Sequence, residues 1–123
     1  NIMVEQNGRF GVIDFQDARC GAITYDLVSL LKDCYIELEE DVQRELALYF
    51  RDQKGLKVDN ERFLYWFDMM GLQRHIKILG IFARLALRDG KDGYLDDIPL
   101  TLRYVQQTAK KYPQTTFLCE VLQ

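Results

Sequence analysis

The chain has 123 residues, of which 48% are hydrophobic and 28% charged, and its formal net charge is −3. This length fits one domain, and the acidic balance lacks the basic field that binding to a phosphate backbone needs, so nucleic acid is excluded as a partner. No apolar run approaches the roughly 18 residues of a membrane span, which argues against a membrane partner. The cysteines lack C-x-x-C spacing and predict reduced thiols in a cytoplasmic protein; they are Cys20, Cys34 and Cys119.

Residues 1–14 predict a β-hairpin. Asn7-Gly8 indicates a two-residue turn, because a type I′ turn needs positive φ at both central positions. Counting outward from that turn places Ile2 opposite Ile13. Both faces of such a hairpin are apolar, and an isolated hairpin is marginal in water. We therefore expect the helices that follow to cover it.

The same counting places Asn1 opposite Asp14. Directly opposed residues have Cβ atoms roughly 4.5 to 5.5 Å apart, so the two side-chain oxygens can share a hard cation such as Mg²⁺. The alternative is that Asp14 is a turn residue whose carboxylate accepts a hydrogen bond from a neighbouring backbone N–H. The residues alone leave both interpretations open.

A loop over residues 14–23 leads to a region, residues 24–122, whose periodicity predicts helices. Thr24 is a candidate N-cap, and Asp26 falls in the first turn, where the helix dipole favours a carboxylate. Gly71 interrupts a long helical pattern and predicts that two helices meet there, since glycine is costly inside a helix. Two apolar stripes are predicted to face the core: Val42, Leu46, Tyr49 and Phe50, and Phe63, Trp66, Phe67 and Met70.

The expected fold class is mainly α, an α+β arrangement of five or six helices with one N-terminal hairpin. We expect residues 1–123 to form a single domain.

Several motifs together resemble a known superfamily. Asn followed by three hydrophobic residues, a hairpin, Ile13-Asp14-Phe15-Gln16-Asp17-Ala18 and then Tyr25-Asp26-Leu27-Val28-Ser29-Leu30-Leu31 look like the aminoglycoside phosphotransferase and protein-kinase-like superfamily. Its catalytic loop reads H-x-D-x-x-x-x-N, and a metal-binding Asp follows one hairpin later.

That resemblance implies roles for individual residues. Asn1 matches the Asn that closes the catalytic loop, and Asp14 matches the metal-binding Asp, so both are expected to hold Mg²⁺ with ATP as the co-substrate. Asp17 is expected to assist the metal or to make a structural hydrogen bond. Asp26 matches the residue that holds the backbone of the catalytic loop.

A narrower resemblance covers nearly the whole chain. Its motifs are similar to those of the bacterial amino-sugar kinases that phosphorylate N-acetylmuramate and N-acetylglucosamine at the anomeric hydroxyl. It implies a small-molecule sugar and a nucleotide as partners, and it makes Gln73, Arg74 and His75 candidates for the wall of the acceptor site. The motifs follow the first helix: Met70-Gly71-Leu72-Gln73-Arg74-His75, Gly80-Ile81-Phe82-Ala83-Arg84-Leu85 and Arg88-Asp89-Gly90-Lys91.

The catalytic Asp of the superfamily precedes its Asn and would therefore lie upstream of Asn1. The glycine-rich loop and the strand Lys of the nucleotide-binding lobe are also not found in these residues. We therefore expect a C-terminal lobe that works with the N-terminal lobe of the same protein and is inactive alone. The alternative is a non-catalytic helical interaction module with no metal site.

Overall fold

The computed structural model describes residues 2–14 and 19–122, and the elements there run from one hairpin into helices. Strands β1 (Ile2–Val4) and β2 (Phe10–Val12) pair antiparallel. Five α-helices follow within the described residues: α1 (Tyr25–Leu31), α2 (Glu40–Gln53), α3 (Asn60–Asp89), α4 (Ile98–Lys111) and α5 (Leu118–Val121). Short 3-10 helices lie at Asp92–Asp97 and Pro113–Thr115. The predicted fold class, mainly α with one N-terminal hairpin, is confirmed.

The hairpin register differs from the predicted one by one residue. Ile2 pairs with Val12, not with Ile13, because the connection is a three-residue loop ending at Gly8, whose φ is +79°. Glu5 closes that loop by donating its backbone N–H to the Arg9 carbonyl at 2.8 Å. A turn followed by a left-handed glycine is a common alternative to the two-residue hairpin.

The prediction that the helices cover both faces of the hairpin is wrong for the described residues. Each large apolar side chain of the hairpin keeps at least half of its surface exposed, from Ile13 at 50% to Phe10 and Val12 at 75%. The hairpin therefore projects from the helical part of the chain.

Helix α3 is the central element and packs against α1, α2 and α4. Asp59 caps its N-terminus by accepting a hydrogen bond from the Arg62 backbone N–H at 2.8 Å, and Gly90 ends it with a φ of +64°. The main core cluster joins α1 and α2 to α3: Leu27, Val28, Leu31, Ala47, Phe63, Leu64 and Phe67. Among the described residues, no helix is both long and apolar enough to cross a membrane.

Thr24 occupies the predicted N-cap position of α1, but its side chain makes no cap hydrogen bond; its buried hydroxyl donates to the Trp66 carbonyl on α3 at 3.4 Å. A prediction about a helix face is wrong. In α2 the predicted face lies mostly outward, with Leu46 40% exposed and Tyr49 61% exposed, and the buried residues are Gln43 and Ala47.

The predicted break at Gly71 is absent, and α3 continues through it for 30 residues. A Cβ at this buried position would lie 3.5 Å from Lys32 Cδ and 3.8 Å from Val28 Cγ1. A Cβ would still make ordinary contacts at these distances, but a larger side chain would meet α1, so the approach of α1 to α3 restricts this position to a small residue. The signal that suggested a helix end in fact marks a helix crossing.

This crossing predicts opposite effects for small and large substitutions at Gly71. Gly71→Ala makes only ordinary contacts and should leave the free energy of unfolding unchanged or raise it by up to about 1 kcal/mol, the usual helix preference of Ala over Gly. Gly71→Leu should lower it by about 1–3 kcal/mol, because its side chain must displace Lys32. Urea unfolding of the complete gene product measures both. At Gly80, where the space beside the backbone is open, Ala and Leu should both be tolerated, and equal costs at the two positions would contradict the crossing.

Candidate functional site

Asp14 lies two residues beyond the end of β2 and has an uncommon backbone conformation. Its φ is +62°, which makes it the one non-glycine residue with positive φ in the described part of the chain. Such a conformation costs of order 1–3 kcal/mol and tends to occur at functional sites. The side chain is exposed. A strained, accessible carboxylate at the end of a hairpin is a candidate ligand site.

The other predicted metal residues, Asn1 and Asp17, lie outside the described residues. The register from which Asn1 was placed opposite Asp14 is wrong by one residue. Counting along the observed register therefore no longer supports that pairing. Residues 2–14 and 19–122 contain no group of three His, Cys, Asp or Glu side chains suited to a metal. Asp14 nevertheless fits Mg²⁺ chemically, because this ion prefers carboxylate oxygens and usually completes its shell with water and substrate phosphates.

The loop after Asp14 ends at a cleft of about 400 Å³. Tyr25 and Asp26, from the first turn of α1, line it together with Arg19, Phe50 and Lys54. The cleft brings one carboxylate and two cations to the start of α1. Asp26 is exposed in the first helical turn, where a second segment of the protein can reach it.

The three residues predicted to form a substrate wall point to three different places, as successive positions on a helix do. Gln73 is exposed and lines a shallow apolar depression with Ile76 and Lys77. Arg74 is half-buried and lies against Tyr25, donating a hydrogen bond from Nη1 to the Tyr25 hydroxyl at 3.1 Å with its guanidinium 5.2 Å from the ring centroid. His75 points into the protein and is fully buried.

The burial of His75 corrects its predicted place in the acceptor wall, because it offers no surface to a ligand. Its Nε2–H donates to the Lys32 carbonyl at 2.9 Å, and its ring stacks on Tyr104 at 4.9 Å. Burial lowers the pKa of His75; the hydrogen bond to Lys32 opposes this, and the charges of Lys32 and Arg74 reinforce it. The imidazole is thus neutral and joins the end of α1 to α3 and α4.

A pH-dependent stability follows from the neutral state of His75. Its pKa is lower in the folded chain than in the unfolded chain, so the unfolded state binds the proton first as the pH falls below about 6.5. The stabilising contribution of neutral His75 is therefore complete above that pH. The free energy of unfolding decreases as the pH falls below it, by at most about 1.4 kcal/mol per pH unit. We expect wild-type protein to lose stability relative to His75→Gln between pH 7 and pH 5, measured by urea unfolding of the complete gene product. Parallel curves for the two proteins would contradict this assignment.

A second buried polar group, Asp68, was not predicted from the sequence. It is 4% exposed on α3 and accepts hydrogen bonds from Lys32 Nζ at 2.9 Å, Lys111 Nζ at 2.5 Å and the Tyr112 hydroxyl at 2.7 Å. Burial alone would raise the pKa of Asp68, but Lys32, Lys111 and Tyr112 outweigh it and lower the pKa. This Asp68 cluster ties the ends of α1 and α4 to the first third of α3. The available signal was an acidic residue among the apolar positions of a helix.

Comparison with known proteins finds a family model and several relatives that match this chain. Residues 1–66 match the phosphotransferase enzyme family. An N-acetylmuramate/N-acetylglucosamine kinase of Neisseria meningitidis serogroup B is 45% identical, over 99% of this chain and 38% of the relative. Proteins with the same name from Pseudomonas aeruginosa and Pseudomonas putida are 41% and 38% identical, over 91% of this chain and 35% and 34% of the relatives.

The chain thus spans only about a third of the length of these curated relatives. The family match covers more than half of the chain and includes the hairpin, Asp14 and the first turn of α1. This chain therefore belongs to the phosphotransferase enzyme family.

Proposed function

We propose that the protein containing this chain transfers the γ-phosphoryl group of ATP to a hydroxyl of an amino sugar, N-acetylmuramate or N-acetylglucosamine. The observation that carries the proposal is the positive φ of Asp14, which lies in an uncommon backbone conformation and has an exposed side chain. The motif resemblance matches this residue to the family's metal-binding Asp. The names of the similar proteins support the choice of sugar.

Asp14 is the proposed Mg²⁺ ligand, with Asn1 as a further ligand and Asp17 in contact with the metal or its waters. The ion, when bound, neutralises charge on the transferring phosphate oxygens. The task of Asp14 is to hold a fixed negative charge beside the nucleotide phosphates. Its backbone conformation suits this task, because a carboxylate fixed in advance need not reorganise during the reaction.

Asp26 is proposed to support the catalytic loop by accepting hydrogen bonds from its backbone. This proposal rests on its exposed position in the first turn of α1, beside the cleft of about 400 Å³. We further propose that the nucleotide-binding lobe and the Asp that orients the acceptor hydroxyl precede Asn1, and that residues 1–123 form the C-terminal lobe and do not turn over alone. Gene sequence encoding His-x-Asp about five residues before Asn1 is the expected finding.

The test is a phosphorylation assay of the complete gene product. Purified protein is incubated with ATP and Mg²⁺ and with N-acetylmuramate, N-acetylglucosamine or an aminoglycoside in separate reactions. The rate is measured from the release of ADP, and ³¹P NMR identifies the product. Phosphorylation of an amino sugar at its anomeric hydroxyl is expected. Turnover of the aminoglycoside alone would overturn the choice of acceptor, and absence of turnover with all three would favour a non-catalytic module.

A further inference from the structure

We infer that Arg74 recognises the carboxylate of the acceptor and thereby distinguishes N-acetylmuramate from N-acetylglucosamine. The inference rests on the proposed function. It assigns to one residue the recognition of the one chemical group in which the two sugars differ. N-acetylmuramate carries a lactyl ether that ends in a carboxylate, and N-acetylglucosamine has a hydroxyl at the same position. A cation that contacts this group should bind one sugar better than the other.

Arg74 is oriented before any ligand arrives. Its guanidinium donates to the Tyr25 hydroxyl at 3.1 Å and lies 5.2 Å from the centroid of the same ring. These two contacts restrict a side chain that is otherwise costly to immobilise. Arginine is also the residue whose planar fork matches a carboxylate with two parallel hydrogen bonds.

The charge of Arg74 has no carboxylate partner in the described part of the chain. Among the described cations, Lys32 pairs with Asp68 and Arg103 pairs with Glu37, each at 2.9 Å, whereas others such as Arg62 have, like Arg74, no ion pair. The Arg74 side chain is half-buried, and its contact with the Tyr25 hydroxyl lies at the surface, where a ligand can reach it. A pre-oriented, half-buried cation with a neutral partner is suited to an anionic ligand.

The position of Arg74 relates it to the proposed site. Tyr25 is the first residue of α1, so it directly follows the loop that begins at Asp14, and it also lines the cleft beside Asp26. Arg74 thus reaches from α3 to the start of α1, just beyond the loop over residues 14–23. An anionic oxygen at this point can come from the sugar carboxylate or from a phosphate of the nucleotide, and the sugar carboxylate is the source we assign.

The test compares kcat/KM for the two sugars in the complete enzyme with Arg74→Met. A charge-assisted hydrogen bond contributes enough that its loss typically lowers affinity about tenfold to a hundredfold. We therefore expect kcat/KM for N-acetylmuramate to fall by at least about tenfold, with the value for N-acetylglucosamine changing by less than about twofold. Arg74→Lys, which keeps the charge but loses the fork, should give an intermediate loss.

Two further variants separate recognition from folding. Arg62→Met removes a cation that lies over Trp66 on the same helix, 5.8 Å from the ring, and should leave the ratio of the two kcat/KM values unchanged. Tyr25→Phe removes the hydroxyl that orients Arg74 and should lower the ratio by less than Arg74→Met. Thermal unfolding checks that each variant is folded.

Each outcome decides the inference. Equal losses of kcat/KM on both sugars, or a raised KM for ATP, would mean that Arg74 contacts a nucleotide phosphate or has only a structural role. Either result would overturn the inference. No loss on either sugar would overturn it as well. If the unsubstituted enzyme phosphorylates neither sugar, the proposed function fails first and the carboxylate assignment falls with it.

Discussion

Asp14→Asn in the complete enzyme is expected to lower kcat by at least about two orders of magnitude, the size of effect seen when one preorganised electrostatic stabiliser is lost. The transition state gathers charge on the transferring oxygens more than the ground state does, so losing the proposed metal ligand should reduce kcat rather than only substrate affinity. The measurement is the initial rate at saturating ATP, Mg²⁺ and sugar.

Asparagine is a suitable replacement because it adopts a positive φ at least as readily as aspartate does. The φ of +62° at Asp14 should therefore persist, and the variant should unfold at the wild-type urea concentration. Asn1→Ala should reduce kcat less. Asp96→Asn, which changes an exposed carboxylate in the 3-10 helix, should leave kcat unchanged. Near-normal turnover of folded Asp14→Asn protein would rule out the role assigned to Asp14.

The hairpin shows how far local sequence could predict this fold. Asn7-Gly8 located the turn correctly, but the same residues fit a two-residue loop and the observed three-residue loop. The difference depends on a few hydrogen bonds, including one from the Arg9 backbone N–H to Asn7 Oδ1 at 2.9 Å. A shift of one residue exchanges the two faces of a strand, so a correct turn still gave a wrong register.

Helix α2 shows the limit of counting apolar residues. The stripe of larger apolar residues, including Val42 and Tyr49, was predicted to face the core, but it lies outward. The inward face carries the small Ala47 and the polar Gln43, whose amide donates to the Leu38 carbonyl at 2.6 Å. A polar residue satisfied by a hydrogen bond can be buried, and a pattern based on hydrophobicity does not count it.

The candidate site also combines features that the sequence predicted with features that only the structure gave. The position of Asp14 followed from the motif, whereas its φ required the structure. The Arg74–Tyr25 contact joins residues 49 positions apart, and Asp68 bonds to Lys32 and Lys111 at separations of 36 and 43. Contacts between distant segments leave no spacing in the sequence that could reveal them.

Asp68→Asn is expected to produce the largest loss of stability among the substitutions considered, about 3–5 kcal/mol in the free energy of unfolding. Removing one partner of a buried ion pair leaves the other charge without compensation. Here that charge is Lys32, whose side chain is only 11% exposed, whereas Lys111 is 44% exposed and remains solvated. The loss should therefore come mainly from Lys32.

A double-mutant cycle measured by urea unfolding of the complete gene product tests this origin. Lys32→Met added to Asp68→Asn should cost much less than the sum of the two single changes, because the stranded charge is gone. Lys111→Met alone should cost no more than about 1 kcal/mol, as for exposed pairs. Asp52→Asn serves as a control, since Asp52 is 62% exposed beside Arg51, and should also cost less than about 1 kcal/mol.

The pH dependence gives an independent measurement of the Asp68 cluster. The pKa of Asp68 is lower in the folded chain than in the unfolded chain, so its contribution to stability is present above about pH 3.9 and is lost as the pH falls through the folded pKa. The loss through His75 begins near pH 6.5, so the two groups act in separate windows. Asp68→Asn should remove only the lower one. If Asp68→Asn costs no more than Asp52→Asn, or if the costs at Asp68 and Lys32 simply add, the Asp68 cluster does not hold α1 against α3.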